Sequence, residues 1–211
     1  MLGPKILEKF RWQAGRSDDA SQAVIDEDAR AHYEKALNLA ERGLHTQARE
    51  EFKQAIARKY NFAEAHFELG RTLRKLGLPD KAIRAYQDAI RIRPDYCEAF
   101  NELGVIYDCK GNFLEAIKVY MRALRLQSNS IEVLNNLGVA YFNIGSYPEA
   151  MKAFNQVVQL KPDDAQAHFG LAQVHIDLKD KESALKEHET LSTLGQTELA
   201  FRLLDQIHRQ F

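Results

Sequence analysis

Two consecutive stretches decide the fold: CEAFNELGVIYDCKGNFLEAIKVYMRALRLQSNS at residues 97–130 and IEVLNNLGVAYFNIGSYPEAMKAFNQVVQLKPDD at residues 131–164. They align without an insertion, and the same 34-residue spacing continues on both sides of them. Residues that keep this spacing are Gly70, Gly104 and Gly138, and Ala48, Ala82, Ala116, Ala150 and Ala184. A fixed internal period predicts a stack of similar units, each of which buries its apolar face against its neighbours.

Each unit has the pattern of two helices. In residues 63–96, apolar residues recur at three- and four-residue steps before and after Gly77, which is the helical period. Glycine tolerates the left-handed backbone that closes a helix end, and Pro94 lacks the amide hydrogen that a longer second helix would need. The sequence therefore predicts an all-α fold built from helix-turn-helix units.

Capping signals recur at the start of each unit. Polar residues precede a glutamate or glutamine by three positions, which is the spacing of a capping box. The predicted pairs are Asn61 and Glu64, Asp95 and Glu98, Asn129 and Glu132, Asp163 and Gln166, with Asn112 and Glu115, and Ser146 and Glu149, for two second helices.

The order of large and small residues resembles the tetratricopeptide repeat. Residues 97–130 carry it as Phe100, Leu103-Gly104, Tyr107, Ala116, Tyr120 and Ala123, and residues 131–164 as Leu134, Leu137-Gly138, Tyr141, Ala150, Phe154 and Pro162. This resemblance implies a right-handed α-solenoid. It implies five repeats, at 29–62, 63–96, 97–130, 131–164 and 165–198, with a C-terminal capping helix over 197–211. The last repeat departs from the pattern, with Lys179 in place of the turn glycine.

Residues 1–28 lie outside the period and are predicted to form an N-terminal extension. A basic, partly apolar segment is followed by an acidic linker. Three roles remain open for the segment over residues 1–16: a mobile tail or intramolecular cap, a partner-docking helix, and a membrane-surface anchor.

Composition narrows the classes of partner. The formal net charge of −1 gives no overall attraction to nucleic acid, so none is expected as a partner. The only cysteines, Cys97 and Cys109, have neither redox-pair nor zinc-site spacing. Together with the absence of an apolar signal-peptide core, they predict a cytoplasmic protein.

No pattern indicates catalysis, a metal or a cofactor. His32, His66 and His168 occupy one slot of the repeat, where Phe100 and Leu134 stand in other copies, so we interpret them as structural. No nucleophile can be paired with a base, and no glycine-rich phosphate loop follows a strand. We therefore expect no enzyme activity.

The tetratricopeptide resemblance implies that the first helix of each pair lines a concave groove. The candidate groove residues are Phe67, Arg71, Asn101, Val105, Asn135, Asn136, Val139, Phe142, Asn143, Phe169, Gln173 and Ile176. Amides among them could bracket a peptide backbone, since asparagine both donates and accepts, and the apolar members could hold side-chain anchors. The alternative is that the asparagines stay hydrated and bind nothing.

These expectations favour a non-enzymatic adaptor that binds a peptide or helix of a partner protein. The alternative is a structural scaffold that self-associates into a homo-oligomer through the ends of the stack, its convex face or the N-terminal segment.

Overall fold

The computed structural model describes residues 24–211, and every regular element in this range is an α-helix. The helices are α1 (24–41), α2 (His45–Arg58), α3 (Ala63–Lys75), α4 (Pro79–Ile92), α5 (Cys97–Cys109), α6 (Phe113–Leu126), α7 (Ile131–Asn143), α8 (Tyr147–Leu160), α9 (Ala165–Asp177), α10 (Lys181–Thr193) and α11 (Thr197–Gln210). The predicted fold class, helical pairs of the tetratricopeptide α-solenoid type, is confirmed.

The helices form two compact units. The N-terminal unit ends at Pro94, and the C-terminal unit comprises Asp95–Phe211. In the first, Ala36, Ala48 and Phe52 form a buried cluster against which Tyr33 packs. In the second, successive helices from α5 to α11 pack on one another, and three apolar clusters follow the chain.

The turn within each pair has the predicted left-handed residue. Gly145 has φ 74° between α7 and α8, which is a conformation that glycine adopts without steric cost. Lys179 takes the same position in the last repeat with φ 63°. A side chain there costs about 1–2 kcal/mol, so this turn is formed at the expense of some stability.

Two glycines, Gly138 and Gly170, let α8 approach both neighbouring helices closely because they have no side chain. The Phe154 ring is almost fully buried. A Cβ at Gly138 on α7 would lie 2.6 Å from this ring, and one at Gly170 on α9 would lie 2.5 Å from it. Glycine is therefore required on both sides of Phe154 for this packing.

The predicted capping boxes are mostly wrong. α3, α5 and α7 begin one residue later than expected, with Phe62, Tyr96 and Ser130 at the N-cap and no side-chain cap hydrogen bond. Asn112 and Ser146 do stand at N-caps, but neither makes the cap bond. Aspartates cap α9 and α10 instead: Asp164 accepts from the Ala167 amide, and Asp180 accepts from the Ser183 amide.

The end of the N-terminal extension was also predicted wrongly. Residues 24–28 are helical and belong to α1, so they do not form a linker. The segment over residues 1–16 lies outside the described residues, and its three alternatives stay open. At the other end, Leu203 and Ile207 of α11 are fully buried against α9 and α10, the position expected of a capping helix.

None of the helices within residues 24–211 combines the length and the apolar character needed to cross a membrane.

Candidate functional site

A pocket of about 450 Å³ opens among α7, α8, α9 and α11 of the C-terminal unit. Its lining residues are Asn135, Asn136, Val139, Phe142, Asn143, Phe154, Gln166, Phe169, Gly170, Gln173 and Leu199. The volume falls in the range of about 300–1,000 Å³ that is usual for ligand pockets. None of the described residues lining it carries a charge at neutral pH, and we call it the neutral pocket.

The helical period brings the α7 residues of the pocket onto one face. Asn135, Val139 and Phe142 follow at steps of four and three, so their side chains lie one above another. Val139 is 46% exposed, so it offers open apolar surface to the pocket. Phe154 also lines the pocket, although it is only 2% exposed because Gly138 and Gly170 pack against its ring.

Asn135 connects the pocket to the start of α9. The side chain is 7% exposed, and its Nδ2 donates to Asp164 Oδ1 at 3.2 Å. Burial alone would raise the pKa of Asp164, but hydrogen bonds from Ala167, Asn135 and Lys161 outweigh it and lower the pKa below the usual value. The carboxylate is thus held ionised, and it fixes the orientation of the Asn135 amide.

Asn136 is fixed in a similar way. Its Nδ2 donates to Asn101 Oδ1 at 3.0 Å, while Asn101 Nδ2 donates to Glu132 Oε1 at 2.8 Å. Because Glu132 can only accept when ionised, the whole chain of amides has one direction. Glu132, which was predicted to cap its own helix, instead holds this network.

α11 forms one wall of the pocket. Leu199 lines it directly, and the Arg202 guanidinium lies 5.9 Å from the centre of the Phe169 ring. Gln206 is hydrogen-bonded to Gln173. The C-terminal helix therefore positions two residues of α9 that also line the pocket.

Seven of the twelve predicted groove residues meet in this pocket: Asn135, Asn136, Val139, Phe142, Asn143, Phe169 and Gln173. Asn101 is buried behind them, and Val105 packs against the cluster of α5, α6 and α7. The expectation that Ile176 is uncovered was wrong: it is 7% exposed because it packs in the cluster formed with α10 and α11.

The two candidates from the N-terminal unit are placed differently. Phe67 is buried, with its ring 5.6 Å from that of Tyr86. Arg71 donates to Glu68 at 3.1 Å and lines a separate cavity of about 260 Å³. Neither lines the neutral pocket.

Four pocket residues were missed from the sequence. Phe154 was interpreted as core only, and Gln166 as a capping residue. Gly170 lies two positions before the repeat's usual glycine slot, and Leu199 lies beyond the regular period. The displaced glycine was an available signal, since Ala172 stands at the usual glycine position and a glycine inside a helix elsewhere often has a packing reason.

Two of the three histidines that share a repeat position, His66 and His168, are buried and hydrogen-bonded within the protein. His168 is buried between Glu187 Oε2, 2.6 Å from Nδ1, and Pro162 O, 2.8 Å from Nε2. His66 lies 2.9 Å from Tyr60 O through Nε2. Over residues 24–211, no group of three or more His, Cys, Asp or Glu side chains is arranged to hold a metal ion.

Fold and sequence comparisons define the class of protein as a helical repeat protein. The tetratricopeptide repeat model matches residues 33–96, and the TPR repeat model matches residues 110–145 and 140–178. The chain belongs to the tetratricopeptide repeat family. A comparison with curated proteins found no significant match.

Solved structures show the same fold at low sequence identity. YrrB is 20% identical, with 85% of this chain and 93% of that chain covered and a TM-score of 0.74. MamA from Desulfovibrio magneticus is 18% identical, with 82% and 98% covered and a TM-score of 0.77. A tetratricopeptide repeat protein from Parabacteroides merdae is 16% identical, with 87% and 73% covered and a TM-score of 0.81.

Proposed function

We propose that this protein is a non-enzymatic adaptor, and that it binds an uncharged peptide or helix segment of a partner protein in the neutral pocket. The observation that carries the proposal is the pocket itself, where apolar residues are left open beside oriented amides. Exposed apolar surface rimmed by polar groups is typical of interaction sites. Because the described lining residues are neutral, a charged segment entering it would lose hydration without gaining a partner.

The family relationship supports a role in protein interaction, and YrrB is described as a TPR protein with an unusual peptide-binding site. We also propose a cytoplasmic location. Cys97 and Cys109 are both free thiols, which suits a reducing compartment.

Random-peptide display on the full chain tests the proposal. Peptides selected on the wild type are measured against a pocket variant, Val139→Glu with Gln166→Glu. Both side chains are exposed, so the fold is expected to persist, as circular dichroism can verify. We expect binding to weaken by about 30-fold or more, because each carboxylate would be desolvated by the bound segment.

A matched control places the same kinds of change elsewhere. Leu114→Glu with Gln159→Glu also puts two carboxylates on exposed positions of the C-terminal unit, away from the pocket. This control is expected to bind like the wild type. Equal binding by the pocket variant would show that the pocket is not the binding surface.

A second candidate function is the self-associating scaffold. The observation in its favour is Phe201 on α11, which is 73% exposed. Light scattering across a concentration series, for the wild type and Phe201→Ser, tests it. A concentration-independent monomer mass for the wild type would remove this candidate.

A further inference from the structure

The orientation of the amides in the neutral pocket indicates which kind of side chain of a peptide segment would bind there. This inference rests on the proposed function, since it concerns the same pocket. Asn135 and Asn136 are consecutive residues of α7, and one N–H of each amide already donates within the protein. Asp164 and Glu132 fix these directions, because a carboxylate accepts and cannot donate.

Each amide keeps a second N–H and its oxygen, and the group that most needs a ligand is the Asn135 oxygen. Asn135 Oδ1 is buried, and within the described residues it has no hydrogen-bond partner. A buried acceptor without a donor is costly, whereas a ligand that supplies the donor removes that cost. α7 therefore presents hydrogen-bond acceptors to the pocket.

The other residues that line the pocket limit the size, shape and charge of the side chain that can bind. Phe142 and Phe169 provide aromatic surface, which favours a flat, bulky group that can stack or meet them edge to face. The Arg202 guanidinium already lies 5.9 Å from the centre of the Phe169 ring, and it would repel a second cation, which disfavours lysine and arginine although both donate. Phenylalanine and leucine fit the walls but have no donor. The tyrosine hydroxyl donates too, but its own oxygen would also have to be satisfied in the pocket, whereas the indole N–H brings no acceptor with it.

We propose that the neutral pocket is an anchor site for a tryptophan side chain of the partner segment. The indole is the large apolar side chain that donates one hydrogen bond and accepts none. Its ring lies against Phe142 and Phe169, and its N–H donates to the side-chain oxygen of Asn135. The adjoining Asn136 oxygen accepts from a backbone N–H of the same segment.

The test uses two capped amino acids that differ in one group. N-acetyl-tryptophan amide and the amide of N-acetyl-3-benzothienylalanine have nearly the same shape, but sulfur replaces the indole N–H in the second. Both are titrated into the ¹⁵N-labelled full chain and followed by NMR. We expect shifts at Val139, Phe169 and Gly170, and binding of the tryptophan probe about fivefold tighter, as for one ordinary hydrogen bond.

A protein variant locates the acceptor. Asn135→Ala is expected to bind both probes equally, because the oxygen that distinguishes them is gone. Asn143→Ala, an exposed amide at the same pocket, is expected to keep the preference for tryptophan. If Asn135→Ala does not fold, the comparison of the two probes on the wild type decides by itself.

The outcomes separate this inference from the proposed function. Equal binding of both probes to the wild type, or shifts away from the pocket, overturns the tryptophan anchor. Display-selected peptides that need the pocket but contain no tryptophan overturn the anchor and leave the peptide pocket standing. Peptides whose binding is unaffected by Val139→Glu with Gln166→Glu overturn both.

Discussion

The same four positions of the repeat line a cavity in each compact unit, and they carry different chemistry. They are three 34-residue periods apart. The pairs are Tyr33 and Asn135, Glu34 and Asn136, Leu37 and Val139, and Glu64 and Gln166. Two glutamates of the N-terminal unit are thus replaced by neutral amides in the C-terminal unit.

The N-terminal cavity, of about 790 Å³, is strongly polar. Among the nine described residues that line it, six are charged: Asp26, Glu27, Arg30, Glu34, Lys59 and Glu64. Burial raises the pKa of Tyr33 there, and the carboxylates of Glu68 and Glu64 raise it further. Since the two units share the helix-pair framework, the chemistry of their cavities differs through a few inward side chains and not through the backbone.

We expect the greatest loss of stability from truncating a core phenylalanine that stands at the same repeat position in both units. Phe52 and Phe154 occupy the same repeat position, and both are almost fully buried. We expect Phe52→Ala and Phe154→Ala each to lower the free energy of unfolding by about 3–5 kcal/mol, as measured in urea. Because only Phe154 lines the neutral pocket, only its replacement should also change peptide or probe binding.

If Phe52→Ala weakens binding as much as Phe154→Ala at a temperature where both are folded, the assignment of binding to the C-terminal unit is wrong. Hydrogen exchange can verify that each variant is folded under the binding conditions.

Periodicity was sufficient to predict the helices and their turns. Gly77 and Gly145 stand where sequence spacing placed them, because a left-handed residue between two helices leaves little choice of side chain. The contact of Gly138 with the Phe154 ring likewise follows from alternating small and large residues. These features are local or repeated, and that is why the sequence reveals them.

Features that depend on a neighbouring helix could not be predicted. The partner of Asn135 is Asp164, which is far along the chain and was assigned no role. Ile176 is covered by helices whose exact packing the period does not describe, since Leu199 and the rest of α11 lie outside it. The observed starts of α3, α5 and α7 differ by one residue from the predicted ones, because side-chain spacing alone does not distinguish an N-cap from the residue before it.

Removing the N-cap residue of α9, Asp164, tests the hydrogen bonds that orient Asn135 in the neutral pocket. Asp164→Ala is expected to lower the free energy of unfolding by about 2 kcal/mol near neutral pH, since it removes a cap and leaves the buried Asn135 amide without its acceptor. Ser130→Ala is the control, because Ser130 makes no side-chain cap bond. It should cost less than about 0.5 kcal/mol.

The pH dependence of this difference has a definite sign. The pKa of Asp164 is lowered in the folded protein, so its stabilising contribution is present above the unfolded pKa and is lost as the pH falls through the folded one. We expect the gap between wild type and Asp164→Ala to shrink below about pH 4. A gap that stays constant to acid pH would contradict ionised capping.

The C-terminal unit also contains a partly buried carboxylate, Asp108, at the repeat position that Phe142 occupies in the next repeat. Tyr120 donates to its Oδ2 at 3.0 Å, while its Oδ1 is buried without a partner in the described chain, and burial raises the pKa of Asp108. A raised pKa means that stability is lost as the pH rises through the folded value. Asp108→Asn should therefore be more stable than wild type at pH 7, by about 1 kcal/mol.

The same variant should match the wild type at acid pH, where Asp108 is protonated. Thermal unfolding from pH 4 to pH 7 would reveal the divergence. A variant that is less stable than wild type at neutral pH would show that this unit tolerates the charge well.

Removing one ion pair of the charged N-terminal cavity should change the free energy of unfolding least of all. Lys59 Nζ donates to Asp26 Oδ2 at 3.0 Å, and both side chains are about one-third exposed or more. Solvent screens such a pair, so Lys59→Gln should cost less than about 1 kcal/mol, and the cost should vanish in about 1 M NaCl. Lys53→Gln, which breaks a more exposed pair with Glu50, is a control expected to cost no more. A loss above about 2 kcal/mol that salt leaves unchanged would mean that the N-terminal cavity holds its charges in a desolvated network, and the contrast between the units would then be one of burial as well as charge.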